Sequence, residues 1–425
     1  MTAPSDARYH FAPGGFGPTV VGGDGSYLIT SDGRRILDAA GGAIVTNVGH
    51  GRREVADAVH AAMVGGAYVV PSWPTQHRLD LQDRLRADWL PPGFDHIFFN
   101  SGGGESADST LRVARGYQVA MGRPDRWKVI GRHPSFHGIT TGTLAVGSHS
   151  GRRAGFEPMM LPFPKVPWDH AEAALQVFEE EGPDTIAAFI FEPITGAAGG
   201  CLTASDDYWR AINNYCKAHD ILIIADEVMT GFGRTGLMWG HQHFPIEPDV
   251  IFGGKGLGGG YVSLGMVAST PRVAVPLADA GFMYFTFSGV DAACAAASAV
   301  LDIMDREQLI ARVAEVGPRL GARLHAEFDD HPQVAEVRGR GLFYGLELVR
   351  DRATGEPFPL VPKFALEVVK HGLDNDVWIY PAGSGPVQDA VMFGPSYLTT
   401  DDEIERMVTV TRRALDVASA QAGAR

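Results

Sequence analysis

The sequence predicts an α/β fold with a mostly parallel sheet flanked by helices, followed by a smaller α+β unit. Short apolar runs rich in β-branched and aromatic residues recur between residues 96 and 252, and each run ends abruptly at glycine or polar residues. Amphipathic stretches separate the runs, which is typical of repeated strand–helix–strand units. The runs are nearly continuous rather than alternating, as expected for strands that helices cover on both faces.

The predicted strands of this sheet lie at 96–99, 128–130, 186–191, 221–225 and 250–252. In parallel sheets, ligands bind beyond the carboxyl ends of the strands. Four of these ends lead into residues that can carry chemistry: a glycine turn at 102–104, Glu192, Asp226 and Lys255. We therefore expect these four features to converge on one crevice.

The rest of the chain predicts a smaller α+β unit. A turn-rich segment at 380–394 stands among stretches with helical or strand-like patterns. The pattern predicts helices at 303–316, 319–328, 364–371 and 402–420, and a strand at 342–348.

The composition excludes several classes of protein. The 425 residues carry a net charge of −14, so the long-range field repels nucleic acid backbones and anionic membranes. The three cysteines lie far apart without a CxxC pair, which favours a reducing compartment. No apolar run approaches the roughly 18 residues of a membrane span, and no export signal is visible. We expect a cytoplasmic protein without nucleic acid, membrane or metal partners.

Lys255 follows a predicted strand and stands between Gly253-Gly254 and the glycine-rich segment 256–260. A nucleotide-binding P-loop is excluded, because Asp249 and Gly256 occupy the places of its first glycine and its Ser or Thr. Neighbours without side chains leave room for a flat ligand, and desolvation makes a lysine amine nucleophilic by lowering its pKa. A lysine in a flexible surface loop would show the same neighbours.

Asp226 ends the most apolar predicted strand, where a carboxylate is costly unless a cation or a donor meets it. A lysine that forms a Schiff base and an acid that keeps a pyridine nitrogen protonated are what pyridoxal phosphate (PLP) requires. Gly102-Gly103-Gly104 offers backbone N–H groups for the phosphate at the start of a predicted helix. A helix cap or an ordinary ion pair would explain Asp226 alone, whereas the three features together favour PLP.

At these residues the chain resembles the class III aminotransferases, PLP enzymes of fold type I that include the ω-aminotransferases. The similarity runs from about Gly22 to Pro395, and its most specific blocks are 225–236 and 255–260. The resemblance implies a large PLP-binding domain at 61–320. It also implies a small α+β domain built from the C-terminal part at 321–425 and joined by an N-terminal segment at 1–60.

The resemblance further implies a role for each matching residue. Lys255 is expected to bind PLP and to shuttle protons, and Asp226 is expected at the ring nitrogen. Val228 and Phe136 are expected on the two ring faces, with Glu192 near the cofactor in a structural or a chemical role. The phosphate is expected to lie against Gly102, Gly103 and Gly104 and against Thr286 of the neighbouring subunit. The active site would then exist only in a homodimer.

The chain departs from the family pattern around the cofactor phosphate. Gly104 replaces a usual Ser or Thr, which removes one side-chain contact to the phosphate. Phe285, Val290 and Asp291 replace the residues that usually surround the phosphate-binding threonine. The resemblance is therefore weaker here than at Lys255.

Other departures concern the substrate. Ala197 stands where ornithine- and GABA-type members carry a second glutamate, and Met392 stands where many members place an arginine for the α-carboxylate. Residues 372–405 contain no Lys or Arg, so this segment has no bidentate clamp for a carboxylate. The amino donor is therefore expected to be an amine or an ω-amino compound. Pocket candidates are Ile44, Phe136 and Tyr68.

The expected reaction transfers an amino group to a keto acid such as pyruvate, with ping-pong kinetics. A lyase, a decarboxylase or an amino-shifting isomerase on the same scaffold stays open, because these members share the motifs around PLP. A non-catalytic PLP-binding protein would have no need for Lys255, Asp226 and Thr286 together. His241-Gln242-His243 lacks further ligands at metal spacing, and we interpret it as a loop pair.

Overall fold

The computed structural model describes residues 17–66, 68–278, 283–361 and 363–423. Its strands are β1 (Val20–Asp24), β2 (Tyr27–Thr30), β3 (Arg35–Asp38), β4 (His96–Asn100), β5 (Lys128–His133), β6 (Lys165–Pro167), β7 (Ile186–Phe191), β8 (Leu222–Asp226), β9 (Val250–Gly253), β10 (Gly265–Ser269), β11 (Val334–Arg340), β12 (Phe343–Leu348), β13 (Val377–Trp378), β14 (Tyr380–Ser384) and β15 (Val387–Phe393).

The helices alternate with these strands in the first part of the chain and predominate after β10. They are α1 (Gly41–Ile44), α2 (Arg53–Gly65), α3 (Gln76–Arg84), α4 (Gly103–Ala120), α5 (Thr141–Val146), α6 (Ser150–Arg153), α7 (Ala171–Glu181), α8 (Asp206–Ala218), α9 (Pro271–Ala274), α10 (Asp291–Arg306), α11 (Leu309–Phe328), α12 (Phe364–Asp374) and α13 (Asp401–Gly423). None of the helices in the described ranges is both long enough and apolar enough to cross a membrane.

The large sheet has the strand order β4-β10-β9-β8-β7-β5-β6. Neighbouring strands from β9 to β6 run parallel, whereas β10 runs antiparallel to both β9 and β4. The prediction of a mostly parallel sheet is therefore confirmed. Because the other strands share one direction, their carboxyl ends meet along one edge, where the glycine turn, Glu192, Asp226 and the Lys255 turn follow.

Both faces of the large sheet are covered. Leu222 and Ile224 of β8 belong to one buried cluster together with residues of α4. Ile223 and Ala225, which point to the opposite face, belong to a second cluster that includes residues of α8. All positions of β7 and β8 are buried, as the continuous apolar runs predict.

Two smaller sheets complete the fold. One joins the N-terminal strands to the C-terminal part, because β3 pairs in parallel with β13 in the order β1-β2-β3-β13. The other is antiparallel in the order β11-β12-β15-β14.

The prediction of a turn-rich segment at 380–394 was wrong, because β14 and β15 form an antiparallel hairpin there. The predicted division into helices 303–316 and 319–328 was also wrong. The helix break lies at Glu307 and Gln308, and α11 continues through Gly317 and Pro318. A Cβ on Gly317 would lie 2.5 Å from the Cα of Gly341, so this glycine allows close packing within a continuous helix.

Candidate active site

Lys255 emerges from β9 through Gly253-Gly254 and begins a single 3₁₀ turn, Lys255–Leu257. Its φ of 36° lies in the left-handed region, which a side chain with a Cβ rarely adopts. Burial lowers the pKa of the Lys255 amine to about 8, and nearby Arg234 adds to this effect. Asp226 and Glu192 act electrostatically in the opposite direction. The lysine is thus strained, desolvated and flanked by the two predicted carboxylates.

The glycine turn lies against the Lys255 turn. A Cβ on Gly254 would lie 3.3 Å from the backbone nitrogen of Gly103. The side chain of Asn100 accepts the N–H of Gly102 at 3.1 Å, and α4 then begins at Gly103 without a side-chain cap. The first N–H groups of a helix have no intrahelical acceptor, so this turn presents donors and a positive dipole end to the crevice.

Asp226 is 5% exposed at the end of β8, and both of its oxygens accept hydrogen bonds. Oδ1 accepts the backbone N–H of Val228 at 3.0 Å, and Oδ2 lies 2.7 Å from Nδ1 of His137. His137 is buried as well, and among the described residues its Nε2 has no partner. These contacts fix the carboxylate while each oxygen retains a lone pair for a further donor.

His137 is the site residue that sequence reasoning missed. It directly follows Phe136, and a polar ring next to a predicted stacking residue is the one sequence signal for it.

Glu192 organises the loop that carries Phe136. Its Oε1 accepts the N–H of Phe136 at 3.0 Å, and its Oε2 accepts the N–H of Gly196 at 3.1 Å. Arg132, which is fully buried, donates to the backbone carbonyl of Glu192 at 2.9 Å. Burial raises the pKa of Glu192. These contacts favour a structural role for this carboxyl group.

Val228 and the loop that carries Phe136 border the glycine turn from different sides of the chain. A Cβ on Gly103 would lie 3.1 Å from both methyl groups of Val228. A Cβ on Gly138, two residues after Phe136, would lie 3.4 Å from the Cα of Gly104. Lys255, Asp226, Glu192, Phe136, Val228 and the glycine turn therefore belong to one crevice.

The sequence matches the family model of class III aminotransferases over residues 16–415. The chain belongs to the class III aminotransferases. It is 34% identical over 422 residues to a putrescine–pyruvate aminotransferase of Pseudomonas aeruginosa, covering 93% of this chain and 90% of that one.

The fold agrees with solved transaminase structures. An (S)-enantioselective ω-transaminase from Thermomicrobium roseum matches with a TM-score of 0.90 and 32% identity, covering 98% of this chain and 96% of the other. The ω-transaminase of Pseudomonas jessenii in complex with PMP matches with a TM-score of 0.90 and 28% identity, covering 100% of this chain and 97% of the other. The chain therefore has the α/β architecture of the PLP enzymes of fold type I.

Class III aminotransferases depend on PLP, and the residues of this aminotransferase fit that cofactor. The N–H groups of Gly103 and Gly104, at the start of α4, are suited to bind an anion as a cradle, and the space beyond Gly104 is open, since a Cβ there would meet nothing within 4 Å. Asp226 offers a fixed anion, and Lys255 offers a desolvated amine. The donor set thus matches a phosphate, a pyridine nitrogen and an aldehyde.

The remaining predicted site residues are Thr286, Tyr68 and Ile44. Thr286 is exposed in the turn that follows residues 283–285. Tyr68 is 48% exposed, and its ring packs edge-on against the ring of Phe287, with the ring centroids 6.1 Å apart. Ile44 is buried with a φ of 61° and packs against Gly394. Roles for these residues in substrate binding stay predictions.

The His241-Gln242-His243 segment is held by Glu227, which directly follows Asp226. Glu227 is fully buried and accepts the N–H groups of Gly240 at 2.9 Å and His241 at 2.8 Å. The Nδ1 atom of His241 lies 2.8 Å from the same carboxylate. Within the described residues there is no group of three or more side chains that could hold a metal ion.

Proposed function

We propose that this aminotransferase uses PLP bound at Lys255 to move an amino group from an amine or ω-amino compound to a keto acid. The observation that carries the proposal is the Lys255 amine, whose pKa burial lowers to about 8, beside the fixed carboxylate of Asp226. PLP, when bound, supplies an aldehyde that bonds to amines and a ring that accepts electrons from a substrate carbon.

The residues of the crevice would divide the work. Asp226 would hold the ring nitrogen, and His137 would keep that carboxylate in place through its Nδ1. Phe136 and Val228 would enclose the ring, and the N–H groups at 102–104 would bind the phosphate. The Nζ of Lys255, which is neutral above about pH 8, can take a proton from the substrate carbon and return it.

The proposed class of amino donor rests on the absence of a cationic side chain from residues 372–405. Met392 is fully buried, and residues 372–405 offer neither Lys nor Arg to a carboxylate. A donor without an α-carboxylate needs no such clamp. The relative named for putrescine and pyruvate supports a diamine or amine as donor and pyruvate as acceptor, with ping-pong kinetics.

A homodimer with shared active sites belongs to the same proposal. Thr286 is exposed, and large aromatic side chains near it are exposed as well: Trp73 by 67%, Phe287 by 61% and Tyr284 by 56%. Buried Arg78 ties these segments together, since it donates to the carbonyls of Trp73 and Gly289 at 2.9 and 3.0 Å. An exposed aromatic patch of this kind supports an interface with a second copy.

A reducing, cytoplasmic location is also proposed. Cys201, Cys216 and Cys294 are all buried and free, and burial raises the pKa of each thiol. Free structural thiols are typical of proteins from reducing compartments.

The test is a panel of amines, β-amino acids and α-amino acids offered to the PLP-loaded protein with pyruvate. We expect alanine and a carbonyl product in equal amounts with amine or ω-amino donors, and no turnover by Lys255→Ala. Release of ammonia or carbon dioxide without any requirement for pyruvate would contradict the proposal.

A further inference from the structure

A basic cluster, defined here as His149, Arg152 and Lys363, lies where the large sheet's loops meet the β14–β15 hairpin. His149 and Arg152 stand at the start of α6, and Lys363 directly precedes α12. The hairpin joins the two sides: Ser384 Oγ accepts the N–H of Ser150 at 2.7 Å, and Lys363 Nζ donates to the carbonyl of Gly383 at 2.7 Å.

The basic cluster adjoins the crevice through Phe136. The ring of His149 meets the ring of Phe136 edge-on, with centroids 5.8 Å apart. Burial, Lys363 and Arg152 together lower the pKa of His149 to about 4, so this ring is neutral at neutral pH. His149 therefore links Phe136, which its ring contacts, to the two cationic side chains that act on it.

The two cations of the cluster both act electrostatically on His149. Burial lowers the pKa of Lys363; Asp389 acts electrostatically against this shift, and Arg152 adds to it more weakly. Among the described residues neither Arg152 nor Lys363 forms an ion pair, and the acid that acts on Lys363 is Asp389. The Oδ1 of Asp389 already accepts the N–H of Ala365 at 2.9 Å. An anion that approaches the cluster would be attracted by both cations.

The surroundings reinforce this positive charge. Arg153, the last residue of α6, is a further cation, and it donates to the carbonyl of Gly147 at 2.6 Å. The whole chain has a net charge of −14. The cations of the cluster therefore make the electrostatic potential locally positive beside the crevice.

We infer that Arg152 and Lys363 bind the carboxylate of the oxo acid acceptor, in place of an arginine on the hairpin. The inference rests on the proposed function, since it assigns the acceptor side of that reaction. An amine donor without a carboxylate has no group for this subsite, whereas every oxo acid does. The two half-reactions would therefore differ in their dependence on these two residues.

The test compares two acceptors, pyruvate and the neutral aldehyde butanal, with one amine donor. For Lys363→Gln and for Arg152→Gln we expect the ratio of kcat/KM for pyruvate to kcat/KM for butanal to fall roughly tenfold or more, the cost of one charge-assisted hydrogen bond. Lys363→Arg, which keeps the charge, should restore most of the ratio. The matched control is Lys370→Gln, which changes an exposed lysine of α12, the helix that Lys363 precedes.

An unchanged ratio in both variants would overturn the inference, whatever the absolute rates. A structural defect would lower kcat/KM for pyruvate and for butanal alike and so leave their ratio unchanged. A loss that Lys363→Arg does not restore would overturn the assignment to charge. The proposed function fails separately, if the unaltered protein transfers no amino group to either acceptor.

Discussion

The amine of Lys255 owes its reactivity to its surroundings. A lysine in water has a pKa near 10.4 and is almost fully protonated at neutral pH. Burial lowers the pKa of Lys255 to about 8, so the neutral, nucleophilic form becomes the major one above that pH.

This shift predicts how PLP uptake depends on pH. As pH rises through 8, the protonated fraction of Lys255 falls, so covalent uptake of PLP by the apoprotein should accelerate from pH 7 and level off by about pH 9. Stopped-flow absorbance with PLP in excess measures the rate. A midpoint near pH 10, as for an exposed lysine, would contradict the assignment.

Asp226 is fixed by Val228 and His137, and its charge is the property we expect the cofactor to use. Asp226→Asn keeps the shape and removes the charge. We expect the variant to retain PLP and to lose about 100-fold or more in kcat, equivalent to about 3 kcal/mol. Steady-state kinetics and the bound-PLP content measure the two effects.

The control is Asp207→Asn, which makes the same chemical change at an exposed residue of α8. It should leave kcat as in the unaltered protein. A kcat for Asp226→Asn close to that of the control would rule out the proposed role of the charge.

The sequence predicts Asp226 but not His137, for a physical reason. A carboxylate after an apolar strand is costly enough to signal a partner, whereas a histidine next to a phenylalanine fits a core as well as a site. Their pairing depends on how two loops, separated by 89 positions along the chain, meet at the edge of the large sheet.

The first turn of α4 contains glycines with different surroundings. A Cβ on Gly103 would meet the methyl groups of Val228 at 3.1 Å, whereas one on Gly104 would meet nothing within 4 Å. Gly104 is thus not required by packing, and its place in the cradle leaves room for a hydroxyl group.

We therefore expect Gly104→Ser to fold normally and to bind PLP more tightly. One added hydrogen bond to the phosphate is worth about 1 kcal/mol, or about fivefold in the dissociation constant. Titration of the apoprotein followed by absorbance measures this constant.

Gly103→Ser is the matched control for this substitution. It should weaken PLP binding, because Val228 would have to shift away from its place beside the cradle. Weaker binding by Gly104→Ser, or equal effects of both changes, would contradict the described geometry of the cradle.

At the level of helices and strands, the sequence correctly predicts long, buried elements. The prediction fails where glycine and proline residues do not mark the end of an element. β7 and β8 follow from their apolar runs. The hairpin of β14 and β15 escapes prediction because Gly383, Gly385 and Pro386 suggest turns throughout. Pro318 suggests a helix end, but α11 continues past it while Gly317 packs on Gly341.

The complete enzyme is expected to be a dimer in which each subunit completes the site of the other. Thr286 lies on the exposed surface, while Lys255 lies in the crevice. If Thr286 reaches the phosphate of the second subunit, two variants that are each inactive should restore activity when combined.

The prediction uses Thr286→Asp, which places a negative charge against the phosphate, and Lys255→Ala. Each homodimer should be inactive. Co-expressed with different tags and purified as a heterodimer, they should regain about half of the wild-type activity, because one of the two sites then carries both native residues. An active Thr286→Asp homodimer, or no recovery in the heterodimer, would contradict the shared site.

The most direct measurement is to locate the covalent bond to PLP. The protein is loaded with one equivalent of PLP, reduced with borohydride so that the bond becomes permanent, digested and mapped by mass spectrometry. We predict the phosphopyridoxyl group on Lys255, and neither label nor turnover in a Lys255→Ala protein with an unchanged circular dichroism spectrum. A label on another lysine, or turnover without Lys255, would contradict the account.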